Sequence, residues 1–258
     1  MDITEFKRLT STNNVNRHPW ELTRVRIAHF LLTRYNIPCN AIADVGSGDA
    51  FVLKYLQQLN PGSTFAAIDH AYTPEIIELL KKGTTGDRIH FFNALENAFA
   101  WSPFTCVLLM DVIEHIQHDS TFMKDLVKAS GTNNEVRFLI TVPAFQSLFS
   151  KHDELLLHYR RYNIKRLTSL CRENNLQIIA SGYFFFSLVP ARILQLFAEK
   201  LRLRKPKKAV DNWEGGPFIS KIISFILWID FRICFSLNKL NIRLPGLSCY
   251  CLCQRSAS

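Results

Sequence analysis

The sequence predicts an α/β protein: a seven-stranded, mostly parallel sheet with helices on both faces and a two-helix insertion before the last strand. Three observations point there. Short apolar runs alternate with stretches of helical periodicity along the 258 residues. A Gly-Ser-Gly turn at Gly46 to Gly48 follows an apolar run and opens a helical stretch. About sixty residues separate the last two apolar runs, too many for a loop, and they read as two long helices.

The elements follow in order. After a polar opening, Trp20 to Tyr35 carries Leu22, Val25, Ile27, Phe30 and Leu31 as the apolar residues of a helix. Ala41 to Val45 is a short buried strand, and Phe51 to Leu59 a helix stopped by Asn60-Pro61-Gly62. Thr64 to Ile68 is the second strand, closed by Asp69. A helix at Pro74 to Lys82 and a strand at Arg88 to Phe92 come next. Thr105 to Met110 is strand, Asp119 to Ala129 helix, and Val136 to Val142 strand. Asn163 is the expected N-cap of a helix reaching Asn174. Gln177 to Tyr183 and Leu247 to Gln254 are the last strands, separated by helices at Leu188 to Leu203 and Phe218 to Leu240. This is one Rossmann-like domain over residues 1–258, with an N-terminal helical cap over 1–38 and a helical insertion over 187–243.

Charge is uneven. Between Pro190 and Arg243 stand eleven Lys/Arg against four Asp/Glu, while the rest holds twenty against eighteen. A near-neutral body with one basic segment argues for local contact with anions and against a nucleic-acid-binding protein. Seven cysteines include no Cys-x-x-Cys pair, and Cys249, Cys251 and Cys253 share one face of a strand as small buried hydrophobes. The opening Met1-Asp-Ile-Thr-Glu5 shows no signal-peptide pattern. The expected location is cytoplasmic, extending to the inner face of a membrane.

Asp44-Val-Gly46-Ser-Gly48 lets backbone approach a ligand at a helix N-terminus, where N–H groups are free. Asp69 ends the next strand twenty-one residues after Gly48, placed to accept two ribose hydroxyls. Phe51 stands near where a dinucleotide pattern needs glycine, which disfavours an NAD(P)-dependent oxidoreductase.

The first of these segments resembles motif one of the class I S-adenosylmethionine-dependent methyltransferases, and Ala67-Ile-Asp69-His70 resembles their second. Phe92-Asn93-Ala94-Leu95 is similar to the third, with Asn93 where Asp is usual. Leu108-Leu-Met110-Asp111-Val-Ile-Glu114-His115-Ile116 resembles the strand-four signature of the ubiquinone-biosynthesis-like branch. Thr141-Val-Pro143-Ala, the stretch His152 to Tyr162, and His18-Pro-Trp20 with Arg24 resemble a bacterial subgroup of it. The resemblance implies S-adenosyl-L-methionine as cofactor and methyl transfer, at oxygen, to a small-molecule, lipid or glycan acceptor. It assigns Gly46, Gly48, Met110 and Asp111 to the methionine end, Asp69 to the ribose, and Asn93 and Ala94 to the adenine. Asp44 and His70 belong to the same motifs, and Arg24 with Trp20 closes over the cofactor. The other readings are the oxidoreductase above and a non-catalytic, membrane-associated S-adenosylmethionine-binding protein.

In-line methyl transfer needs positioning first, and a base if the acceptor must lose a proton. His152 is the expected base, with Asp153 beside it as a candidate orienter; His115 and His158 are the alternatives. Some quinone-forming relatives use the acidic-x-x-Glu-His cluster for a divalent metal, which here would be Asp111, Glu114 and His115. No metal is assigned.

In the second insertion helix, Ile219, Ile222, Ile223, Ile226, Leu227, Ile229, Ile233 and Leu237 cover one side. Lys221, Arg232 and Lys239 interleave with Trp228, Phe231 and Phe235 on the other, and Asp230 falls on the aliphatic side in need of a partner. Its longest uncharged run, Ile222 to Ile229, has eight residues where about twenty span a bilayer. Aromatics among cations suit a membrane surface, aided by the cluster Arg202 to Lys208; a homodimer interface or a lid over the acceptor are the alternatives.

Overall fold

The computed structural model describes residues 17–82, 88–131, 135–201, 213 and 215–256. Strands β1 (Ala41–Val45), β2 (Thr64–Ile68), β3 (Ile89–Phe92), β4 (Cys106–Met110), β5 (Arg137–Pro143), β6 (Leu176–Phe184) and β7 (Ser248–Arg255) form one sheet. Their order is β3-β2-β1-β4-β5-β7-β6. β1 to β5 pair in parallel, and β7 runs antiparallel to β5 and β6. Chain order reverses beside β1, with β2 on one side and β4 on the other. That reversal opens a crevice at the C-terminal ends of the strands.

The helices are α1 (Pro19–Arg34), α2 (Phe51–Leu59), α3 (Pro74–Lys82), α4 (Leu95–Trp101), α5 (Asp119–Ala129), α6 (Lys151–Leu155), α7 (Ile164–Glu173), α8 (Val189–Lys200) and α9 (Pro217–Lys239). They cover both faces, and successive strand residues alternate between two cores. Ala43, Val45, Val107, Leu109 and Ile140 join Met123 of α5 and Leu167 of α7. Ile42, Phe65, Leu108 and Leu252 join Leu31 of α1, Leu53 of α2 and Phe231 of α9. Because both faces are covered, the central strands are largely apolar, with Asp44 in β1 and Thr141 in β5 as buried exceptions. Asn163 caps α7 as expected, its Oδ1 accepting from the Arg166 N–H at 2.8 Å.

Two elements were not anticipated. α4 is a seven-residue helix that starts straight after β3, and α6 is a five-residue helix whose Ser150 and Asp153 form a capping box. Both are too short to show a period. Residues 1–16 of the expected N-terminal cap, and the basic cluster Arg202 to Lys208, lie outside the described residues.

α9 corrects one expectation. Its aromatic side faces inward: Trp228, Phe231 and Phe235 surround Phe30 of α1 with centroids 5.6, 5.4 and 5.1 Å away. Rings bury more area than the isoleucines and gain edge-to-face contacts against Phe30, so they take the protein side. Asp230 finds its partner in Ser187, accepting from its N–H at 3.0 Å and its Oγ at 2.8 Å.

Candidate active site at the strand ends

The turn after β1 is built on backbone that only glycine takes without strain. Gly46 has φ +73°, and a Cβ there would stand 2.6 Å from Val112 Cγ2. The Gly46 N–H donates to Ile68 O at 2.7 Å, tying the turn to the end of β2. Asp69, at that end, is 3% exposed. It accepts from the Gly48 N–H at 3.1 Å and from the Ala71 N–H at 2.9 Å, which fixes its carboxylate plane. Tyr72 completes the turn, donating from its hydroxyl to Gly48 O at 2.8 Å.

The remaining cofactor candidates lie around this turn. Asp44 is buried on β1, two residues before Gly46. His70 is exposed beside Asp69, its Nδ1 3.6 Å from Oδ1. Asn93 is exposed at the end of β3, whose Phe92 O accepts from the Asp69 N–H; Ala94 is the N-cap of α4. Met110 ends β4 and Asp111 follows it. Asp111 has φ 59°, held there by its N–H to Thr141 O and by Thr141 Oγ1 donating to its Oδ1, each at 3.0 Å. Arg24 of α1 forms an ion pair with Asp111 and lies over the Trp20 ring at 4.8 Å. The helical cap thus meets β4 at the crevice. On its other flank, Arg17 pairs with Asp49 and covers the Phe51 ring at 3.6 Å.

Next to Asp111 lies a second polar cluster. Asp153 is fully buried and accepts from Arg161 Nε at 2.7 Å, Arg192 Nη2 at 2.8 Å, the Ser150 N–H at 2.9 Å and His158 Nδ1 at 3.1 Å. Burial by itself would raise its pKa. The hydrogen bonds from His158 and Arg161 and the Arg161 charge outweigh that and hold the carboxyl well below the usual range. The His158 ring lies 4.5 Å from His115, edge-on. Glu114, on the turn Ile113 to His115, is fully buried with neither carboxylate oxygen hydrogen-bonded to a described residue. Burial pushes its pKa up to about 8. Ligand atoms of Glu114, His115 and His158 all lie within 4.8 Å of one another.

This arrangement corrects the sequence expectations on two points. Asp153 orients His158, not His152, because the turn after α6 brings His158 back over the carboxylate while His152 stays exposed on α6. Asp111 is taken up by Arg24 and Thr141, so the residue that joins Glu114 and His115 is His158. Sequence reasoning missed Tyr72 and Arg192, and gave Thr141 and Arg161 no role beyond their places in the Thr141-Val-Pro143-Ala motif and the stretch His152 to Tyr162. Arg192 comes from the insertion, thirty-nine residues beyond Asp153. A third cluster, the Sγ atoms of Cys171, Cys251 and Cys253, gathers within 4.8 Å inside the apolar core, where α7 supplies a thiol that strand spacing did not show.

No protein-family model and no curated protein sequence matches the chain. Solved structures do. One is a SAM-dependent methyltransferase from Archaeoglobus fulgidus, 12% identical, covering 98% of this chain and 100% of its own, with a TM-score of 0.53. Another is the 1,6-didemethyltoxoflavin-N1-methyltransferase of Burkholderia thailandensis, with bound 1,6-didemethyltoxoflavin and S-adenosylhomocysteine. It is 15% identical, covering 91% of this chain and 79% of its own, with a TM-score of 0.51. The plantazolicin methyltransferase, in complex with a triazolic desmethyl analogue and SAH, is 14% identical over 92% and 85% of the two chains, with a TM-score of 0.53. These likenesses establish the fold: the Rossmann-like fold of the S-adenosylmethionine-dependent methyltransferases.

Proposed function

We propose that the protein transfers a methyl group from S-adenosylmethionine to an oxygen of a small-molecule, lipid or glycan acceptor. The observation that carries this is an oriented carboxylate, Asp69, just after β2, together with an oriented imidazole, His158, packed on His115 after β4, both past the C-terminal ends of parallel strands that flank β1. Asp69, its plane set by Gly48 and Ala71, is a fit acceptor for paired ribose hydroxyls. Asn93 and Ala94 would flank the adenine; Gly46, Gly48, Met110 and Asp111 would line the methionine end, with Arg24 and Trp20 above. Asp44 is buried on β1 just before the turn, and His70 is exposed beside Asp69. Bound there, S-adenosylmethionine supplies an electrophilic methyl group on a sulfonium.

His158 is the base in this account. Asp153 is ionised, so His158 Nδ1–H donates to it and Nε2 keeps the lone pair that accepts the acceptor's proton. Arg161 and Arg192 hold Asp153 in place, and Glu114, neutral below about pH 8, is a hydrogen-bond donor beside both imidazoles.

The test is formation of S-adenosylhomocysteine with candidate acceptors. His158→Gln should lower turnover by about 10²–10⁴-fold, the usual worth of a general base, with cofactor affinity unchanged, while His152→Ala stays near wild type. The opposite pattern returns the base to His152. Loss of activity in EDTA, restored by magnesium, would assign Glu114, His115 and His158 to a metal instead.

A further inference from the structure

The packing of α9 leaves a long apolar surface uncovered. Phe218, Ile222, Phe225, Ile226, Ile229 and Ile233 recur at helical spacing on its outer side, with Phe218 75% and Phe225 60% exposed. Trp228, Phe231 and Phe235 are the rings spent on α1, so this stripe is not needed for the fold. At 23 residues α9 is about 34 Å long, the dimension of a surface helix lying flat. No helix among the described residues is long and apolar enough to cross a membrane.

The charges beside the stripe are of one sign. Lys221, Arg232 and Lys239 are exposed and fall on one line along its edge, eleven and eighteen residues from the first. Arg232 lies over the Phe30 ring at 5.0 Å and Lys239 over Phe235 at 4.8 Å, so both heads are carried at the seam between α9 and α1. The one acid of the helix, Asp230, is buried on Ser187. A second copy of this face would bring the same cations and no exposed carboxylate from α9. An anionic lipid surface supplies both the apolar layer and the counter-charge.

We infer that α9 seats the protein in the plane of an anionic membrane, aliphatic stripe in the headgroup–acyl boundary and cations at the phosphates. Ser224 and Thr23 tie α9 to α1, which carries Arg24 to the crevice. Ser187, held by Asp230, precedes α8, which carries Arg192 into the Asp153 cluster. Docking therefore holds the acceptor side of the site near the lipid. The inference rests on the surface and not on the chemistry of the crevice.

Vesicle sedimentation of the full chain tests it, with phosphatidylcholine alone or mixed with phosphatidylglycerol. Binding should require the anionic lipid and weaken with salt. Lys221→Gln and Lys239→Gln should each reduce it about fivefold. Phe225→Asp with Ile229→Asp should abolish it while melting temperature and S-adenosylmethionine titration stay at wild type, since both side chains are exposed. No sedimentation with anionic vesicles at low salt overturns the inference. Binding that survives the double aspartate variant does too, because another surface would then be responsible. A concentration-dependent dimer that the double variant dissolves, without vesicle binding, makes a second copy the occupant and overturns it as well. None of these results bears on methyl transfer, which the cofactor titration follows separately.

Discussion

Glu114→Gln isolates the electrostatics of the cluster formed by Glu114, His115, Asp153 and His158. The Glu114 carboxyl is fully buried with no hydrogen bond to a described residue, and burial raises its pKa from an ordinary 4.5 to about 8. An acid whose pKa rises on folding stabilises the fold fully below its unfolded pKa and loses that as pH climbs through its folded one. The window is therefore pH 4.5 to 8. At about 1.4 kcal/mol per pH unit, wild type should lose roughly 3 kcal/mol relative to Glu114→Gln between about pH 5 and 8. Urea unfolding of both proteins across that range measures it, because titrations elsewhere cancel in the difference. The variant should be the more stable protein at the alkaline end. A difference that stays flat with pH would mean that Glu114 is ionised throughout, and the neutral-donor role would fall.

Two further substitutions probe the framework of the site. Gly46→Ala forces a left-handed φ on alanine, at about 1–2 kcal/mol, and drives its Cβ into Val112, at about 1–3 kcal/mol more. Adding Val112→Ala should recover the second part but not the first; additive losses in urea unfolding would show that the close approach is not what fixes glycine there. Asp153→Ala leaves Arg161 and Arg192 buried without their carboxylate and should destabilise by about 3–5 kcal/mol. Because the Asp153 pKa is depressed, its stabilisation is present above about pH 4 and lost only as pH falls through the folded value. Acid titration of the wild type should show that limb, and the variant should lack it.

Local pattern carried the sheet. Buried parallel strands are short apolar runs, and Gly46, Gly48 and Asp69 follow them at spacings set by backbone geometry alone. The cluster around Asp153 was less legible, because Asp153 draws partners from the N-cap of α6, the loop after α6 and α8. A sequence lists His152 beside Asp153, but a short helix followed by a turn brings the residue five positions on, His158, to the carboxylate. The orientation of α9 was hidden for a related reason. Both its sides are apolar, and only the position of Phe30 on α1 decides that Trp228, Phe231 and Phe235 go in and Ile222, Ile226, Ile229 and Ile233 out.

Calorimetric titration of S-adenosylmethionine into wild type and Asp69→Ala tests the central claim most directly. Asp69 is the carboxylate that the turn after β1 orients, and if it holds the cofactor as proposed, its loss would remove charged hydrogen bonds worth about 1–3 kcal/mol. The account predicts saturable binding by the wild type, weakened in the variant by about five- to a hundredfold. Absence of binding to the wild type, or equal affinity in Asp69→Ala, would contradict it.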